Sequence, residues 1–291
     1  MAKPLISVVV PMYNHENYIE RALASIFEQD YRPTEIIAID DGSKDRTYEI
    51  ARNFLGRHAP SAIVLRRDNR GAAQTINQAM SLARGDYINI LNSDDFFSPR
   101  RLSRCMDAVR RTGKQLVFTG VNFVDHTGQM ASEDDYIRNL KNASLESRKL
   151  PTLGFALMRH QLAISTGNFF FASKLAWRVG PFQDYRYVHD WDFILRSLFF
   201  SEPAFIEDKL YNYRFHGENS FKSLANVAEY ETSEVMRNFL CLMTSRVPEN
   251  HRAPCPFFWP EVFEYYIRQW NYHIYLPPRF RHVLSEGERV L

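Results

Sequence analysis

The apolar positions change period along the chain, and the changes mark out its elements. Leu5 to Val10 is an apolar run with three valines, as in a strand buried on both faces. Ile19, Ala22, Leu23, Ile26 and Phe27 then fall on the i, i+3, i+4, i+7, i+8 stripe of a helix. The alternation repeats with a strand over 36–39, a helical stripe at Thr47, Ile50, Ala51, Phe54 and Leu55, and a strand over 62–65. Ile76, Ala79, Met80 and Ala83 predict a third helix, which Gly85 stops. Residues 87–91 read as a fourth strand, 99–112 as a helix, and 116–118 as the start of a fifth strand. Strands separated by helices of this length imply right-handed crossovers and a mainly parallel sheet, an α/β fold.

The second half reads differently. Residues 125–150 are polar and lack sustained periodicity, which predicts a mobile loop near the active face. Residues 151–216 return to short helices and aromatic strands. After Gly217 the strand signal stops. A helix is expected over 220–246, then a link punctuated by Pro248, Pro254, Pro256 and Pro260, then a helix over 261–276.

Composition narrows the classes. Of 291 residues, 45% are hydrophobic and 14% aromatic, which excludes disorder as the main state. Lys plus Arg is 36 and Asp plus Glu is 34, a balance that gives no support to nucleic-acid binding. The three cysteines show no CxxC spacing, so neither a zinc knuckle nor a disulfide framework is suggested. No signal-peptide core opens the chain, and no apolar run approaches the roughly 18 residues that would span a bilayer. The expectation is a cytoplasmic protein, soluble or peripheral at the inner face of the membrane.

Ligand sites in open α/β sheets lie at the carboxyl ends of the strands. Here four successive strand ends carry Pro11-Met12-Tyr13-Asn14, Asp40-Asp41-Gly42-Ser43, Asp68-Asn69-Arg70-Gly71 and Asn92-Ser93-Asp94-Asp95. No GxG pair and no GxxxxGK[ST] loop follows any strand, so a glycine cradle for phosphates is absent. A divalent cation held by carboxylates is the other common way to hold a diphosphate.

VVVPMYN, IAIDDGSKDRT, NRGAAQTIN, ARGDYINILNSDD, VGPFQDYRYVHDWDFILR and YRFHGENS occur in this order along residues 5–220. In that series the chain resembles the family-two, inverting nucleotide-sugar glycosyltransferases of the GT-A fold. The resemblance implies a catalytic domain over 1–220, with a nucleotide-sugar side (1–125) and an acceptor side (126–220). Residues 221–291 form a helical, aromatic-rich extension outside it.

The resemblance also implies roles. Asp41 accepts a hydrogen bond from the base imide, which favours uracil or thymine. Its alternative role is an acid at a helix N-terminus, a part that Asp40 can also play. Pro11, Tyr13 and Asn14 line the nucleotide, although Tyr13 can equally pack just past its strand. Arg70 is the basic group expected for the donor, with a solvated loop arginine as the alternative. Asp95 binds Mn2+ or Mg2+, and Asp94 touches the ribose or the metal shell. His216 reaches the metal or the diphosphate, with a structural histidine as the alternative, and Ser220 with 217–224 closes over the donor. Asp190 is the general base that takes the acceptor's proton; otherwise it caps a helix. The chain departs from its relatives at Asn92, where many have Asp, and at His189, where many have Glu.

Arg66, Arg67, Arg100, Arg101, Arg110 and Arg111 are expected on a solvated face. The tail aromatics Phe257, Phe258, Trp259, Phe263, Tyr265, Tyr266, Trp270, Tyr272 and Tyr275 are expected to pack on the catalytic domain. Docking to a membrane surface or a protein partner is the alternative. The implied activity moves a sugar from a UDP- or dTDP-sugar to a glycan or lipid-linked acceptor. A silent nucleotide-sugar binder, a nucleotidyltransferase and a structural partner protein are the competing classes.

Overall fold

The computed structural model describes residues 3–216 and 225–281. The expected closing segment 217–224 lies outside them. The strands are β1 (Ile6–Met12), β2 (Thr34–Asp40), β3 (Ile63–Arg66), β4 (Tyr87–Ile90), β5 (Phe96–Phe97), β6 (Leu116–Val124), β7 (Phe170–Ala172) and β8 (Ala204–Arg214). They form one sheet in the order β3-β2-β1-β4-β7-β6-β8-β5.

β1 is the hub of the parallel half, paired with β2 on one side and β4 on the other. Val9 enters the core on one face, while Ile6, Val8, Val10 and Met12 enter the core on the other. This double burial is what made the segment an unbroken apolar signal. Pro11 is tolerated because its missing N–H faces β4, whose pairing with β1 ends at Val9. Beyond β4 the sheet is mixed: β7 runs antiparallel to β4 and β6, β8 parallel to β6, and β5 antiparallel to β8. The mainly parallel expectation thus holds for β3-β2-β1-β4. The outer half departs from it through β7 and β5, which run against their neighbours.

One face carries α1 (Ile19–Phe27), α2 (Thr47–His58) and α4 (Arg101–Thr112). The other carries α3 (Ala72–Leu82), α6 (Leu153–Arg159), α7 (Ser173–Val179) and α8 (His189–Ser197). The C-terminal helices α9 (Ala225–Ser245) and α10 (Pro260–Gln269) join this second core. Val235, Phe239, Met243, Phe263 and Ile267 are buried in it with Phe155 and Phe193, and Trp259, Tyr266, Trp270, Tyr272 and Tyr275 pack against it. Most tail aromatics therefore pack on the core of this sheet face; Tyr265 and Phe257 are exposed. Among the described residues, no helix is long and apolar enough to cross a membrane.

Two expectations are overturned here. Residues 135–147 form the helix α5 (Asp135–Ser147) rather than a loop, capped by the Asp134 carboxylate on the Ile137 N–H at 2.8 Å. Only Ile137 is buried in α5, so no apolar stripe announced it. Arg101 is fully buried rather than solvated. It donates to Asn89 Oδ1, Thr119 Oγ1, Asn168 Oδ1 and the Asn168 carbonyl, and lies over the Phe97 and Tyr211 rings. Neutral acceptors gathered from three elements replace water around the guanidinium.

Candidate active site

The chain leaves β1 for β2 on one side and returns as β4 on the other. This switch of direction opens a crevice at the carboxyl ends of β1 and β4. The loop after β1 brings His15 there, and the turn after β4 brings Asp94. His216, just past β8, closes the group. His216 Nε2 is 3.0 Å from Asp94 Oδ2 and His15 Nε2 is 3.7 Å from the same oxygen. One ligand atom from each of the three residues lies within 4.8 Å of the others. His15 Nδ1 meets Ser93 Oγ at 2.7 Å, a bond that turns Nε2 toward Asp94. Burial pushes the Asp94 carboxyl up, but the two imidazoles outweigh it and hold Asp94 below its ordinary range. Two imidazole nitrogens and a carboxylate oxygen at this spacing fit a divalent cation.

Asp95 does not join them. Its side chain is buried and turned inward, accepting from Tyr211 Oη at 2.5 Å and from the Arg214 N–H at 2.8 Å. Asn92 Nδ2 adds a longer contact at 3.3 Å. The expected metal carboxylate is thus an internal anchor, and its neighbour Asp94 is the one that meets His216. Burial and the adjacent Asp94 push Asp95 well above the ordinary carboxylate range. Asn92 suits this setting, because an Asp there would set a further carboxylate against Asp95. Gly167 makes the anchor fit: a Cβ on it would stand 1.9 Å from Tyr211 Oη. Arg214 fastens the turn a second time, its guanidinium donating to the carbonyls of Asp94, Asp125 and His126.

Of the expected nucleotide residues, Asp41 and Arg70 lie past the next two strand ends, β2 and β3, while Pro11, Tyr13 and Asn14 belong to β1 and the loop after it. Asp40 is fully buried and holds Ser43 through both its N–H and its hydroxyl. Asp41 is nearly buried and accepts from Arg67 Nε at 2.9 Å and from the N–H groups of Arg70 and Gly71 at 3.0 and 2.8 Å. A carboxylate has about four lone-pair sites, so capacity for one more donor remains. Arg67, expected in solvent, is drawn in by Asp41, Gln78 and Thr75. Arg70 is the exposed one, contributing its main chain to Asp41. Gly42 has φ +77°, and a Cβ on it would stand 2.9 Å from Asn69 N, so this turn between the two loops needs glycine. Asn14 bridges the first two loops: its N–H donates to Ser43 Oγ and its Oδ1 accepts from Lys44 N–H. Tyr13 is 42% exposed, so it stands off the core rather than packing in it.

Asp190 is the second residue of α8 and accepts the Trp191 N–H at 2.6 Å. Burial pushes its carboxyl above the ordinary range, against the opposing pull of His189. His189 Nε2 meets Thr166 Oγ1 at 3.0 Å, and its buried Nδ1 has no hydrogen-bond partner among the described residues. Tyr136 of α5 and Tyr187 stand within electrostatic reach of Asp190; burial, then these neighbours, pushes the Tyr136 hydroxyl up to about 12. Neither tyrosine was singled out from the sequence, nor were His15 and Tyr211.

Known proteins resemble this chain in sequence and in fold. Residues 7–174, more than half of the chain, match the family described as Glycosyl transferase family 2. An uncharacterized glycosyltransferase of Rickettsia typhi is 27% identical over 232 residues, covering 78% of this chain and 70% of its own length. Chondroitin synthase of Escherichia coli is 30% identical over 220 residues, covering 75% of this chain but 30% of the synthase. Among solved structures, residues 1–349 of S. aureus TarS in complex with UDP-GlcNAc superpose with a TM-score of 0.63 at 18% identity, over 96% of this chain and 78% of that one. A mannosyltransferase of Pyrobaculum calidifontis in complex with GDP-Man and Mn2+ gives a TM-score of 0.63 at 19% identity, over 100% and 76%. The architecture held in common is the GT-A fold, as the sequence motifs implied.

Proposed function

The chain belongs to glycosyl transferase family 2, and from that premise we propose that it transfers a sugar, with inversion, from a UDP- or dTDP-sugar to a hydroxyl of a glycan or lipid-linked saccharide. One observation carries the proposal: Asp94 stands between His15 and His216 at the β1/β4 crevice, beside the loop that Asp41 organises. Asp41 offers its remaining acceptor capacity to an imide N–H, which uracil and thymine have and cytosine lacks. Tyr13 and Asn14 stand at the same rim, and in this reading the exposed Arg70 side chain meets the donor's phosphates.

His15, Asp94 and His216 would hold the cation, with Asp95 supporting the turn from below. Two nitrogen ligands favour Mn2+ over Mg2+, which prefers an all-oxygen octahedral shell. When bound, the ion supplies positive charge to the leaving diphosphate. On the acceptor side, Asp190 takes the proton of the attacking hydroxyl. As the new bond forms between that oxygen and the anomeric carbon, the bond to the phosphate oxygen breaks and the nucleoside diphosphate leaves. Its raised pKa brings Asp190 closer to the operating pH, which suits a base. The similarity to chondroitin synthase favours a polysaccharide acceptor. Residues 1–220 form the catalytic domain in this scheme, and 221–291 an extension to it.

The test is nucleotide release across UDP-, dTDP- and GDP-sugars with Mn2+ and a panel of oligosaccharide acceptors. Release from UDP- or dTDP-sugars with an inverted product is expected. A retained configuration, or release from GDP-sugars alone, refutes the assignment.

A further inference from the structure

α9 of the C-terminal extension packs against α8, and its Glu231 is 8% exposed. A carboxylate buried on such a helix needs hydrogen-bond partners. Glu231 finds them in three consecutive main-chain groups. The Arg186 N–H donates to Oε1 at 2.9 Å, and the N–H groups of Tyr187 and Val188 donate to Oε2 at 2.7 and 3.4 Å. These residues lead directly into α8, whose N-cap Val188 makes no side-chain cap bond.

The leading N–H groups of a helix have no partner within it, and partial positive charge collects there. Serine or aspartate usually answers both demands locally. Valine cannot; Glu231, from another helix, instead accepts from the N-cap N–H and from the two N–H groups just before it. Asp190 sits two residues beyond this anchor. A second tether lies about two turns further along α9, where Asn238 Nδ2 donates to Tyr185 Oη at 3.2 Å. The partners of Glu231 include none of Asp41, Asp94, His15 and His216.

From this geometry we infer that Glu231 is a positioning residue for Asp190: it fixes where α8 begins and so where the Asp190 carboxylate stands. The inference rests on the assignment of Asp190 as the base. It gives the C-terminal extension a part in the reaction beyond packing, by holding the acceptor side of the site.

The test uses the full chain carrying Glu231→Ala, Glu231→Gln or Asp190→Asn. Amide hydrogen exchange over residues 185–192 reads the anchor, UDP binding with Mn2+ reads the donor side, and UDP release from UDP-GlcNAc reads turnover. In Glu231→Ala, exchange at 186–188 should rise while UDP affinity and donor KM stay as in the wild type. Its kcat should fall about a hundredfold, as a base misplaced by about 1 Å implies. Glu231→Gln keeps one acceptor oxygen and should fall between. Unchanged exchange in Glu231→Ala overturns the inference. So does loss of UDP binding in step with turnover, which marks a general structural role. An inactive Asp190→Asn beside a fully active Glu231→Ala sinks this inference alone; an active Asp190→Asn sinks the base assignment and this inference with it. If the wild type does not turn over UDP-GlcNAc, exchange at 186–188 decides.

Discussion

Asp190→Asn is expected to move activity and stability in opposite directions. The amide has the same shape, and its Oδ1 can keep the bond that Asp190 accepts from the Trp191 N–H at 2.6 Å. What it loses is the ability to take a proton. General-base catalysis contributes about a hundredfold to ten-thousandfold, or about 2.7–5.4 kcal/mol of barrier. kcat should fall by that amount with donor KM little changed. Stability should rise at neutral pH. Burial lifts the folded-state pKa of Asp190 above its unfolded value, so the ionised group opposes folding by about 1.36 kcal/mol per unit of the lift. That penalty is absent below the unfolded pKa, where both states hold the proton. It grows as pH rises and is complete above the folded pKa. The variant should therefore melt higher than the wild type at pH 7, and the advantage should vanish in acid. The wild-type kcat should fall on acidification at a pH above the ordinary aspartate range. Paired kinetics and thermal denaturation across pH would read all of this. A variant of nearly full activity that melts lower at pH 7 would show a helix cap and refute the reasoning.

Removing the hydroxyl of Tyr211 with Tyr211→Phe should lower stability by about 1.5–3 kcal/mol in urea unfolding, because a carboxylate loses a buried donor; Mn2+ affinity should be retained, whereas a selective loss of Mn2+ would make Asp95 a ligand after all. Gly167→Ala should cost about 1–3 kcal/mol by driving the same tyrosine off Asp95, and an unaffected midpoint would contradict the clash. Arg67→Ala should cost about 3–5 kcal/mol by leaving Asp41 without its buried cation, while Arg70→Ala should stay within about 0.5 kcal/mol; the reverse ranking would show that the solvated arginine had been misidentified.

The periodic segments of the first half were legible because each buries a complete face of helix or strand. The place proposed for the base stood out for a related reason: Asp190 lies in a distinctive run at the head of an apolar helix. The His15, Asp94 and His216 group was only half legible. Adjacent carboxylates point to different sides, and nothing local says that Asp94 faces the crevice while Asp95 turns inward. That choice is made by Tyr211 and Arg214, more than a hundred residues away. His15 was invisible for a similar reason. It becomes a neighbour of Asp94 only once β1 and β4 lie side by side. Arg101 read as surface because a charge in isolation belongs in water, and its acceptors come from residues as distant as Asn168. The capping acid Asp134 was the one local sign of α5.

The most direct test is a calorimetric titration of UDP into the full chain with Mn2+ and again with EDTA, repeated with Asp94→Asn. Binding that requires Mn2+ in the wild type and is lost in Asp94→Asn is the predicted result. UDP binding of equal affinity in EDTA, or unaltered by Asp94→Asn, would contradict a metal-assisted donor site at His15, Asp94 and His216.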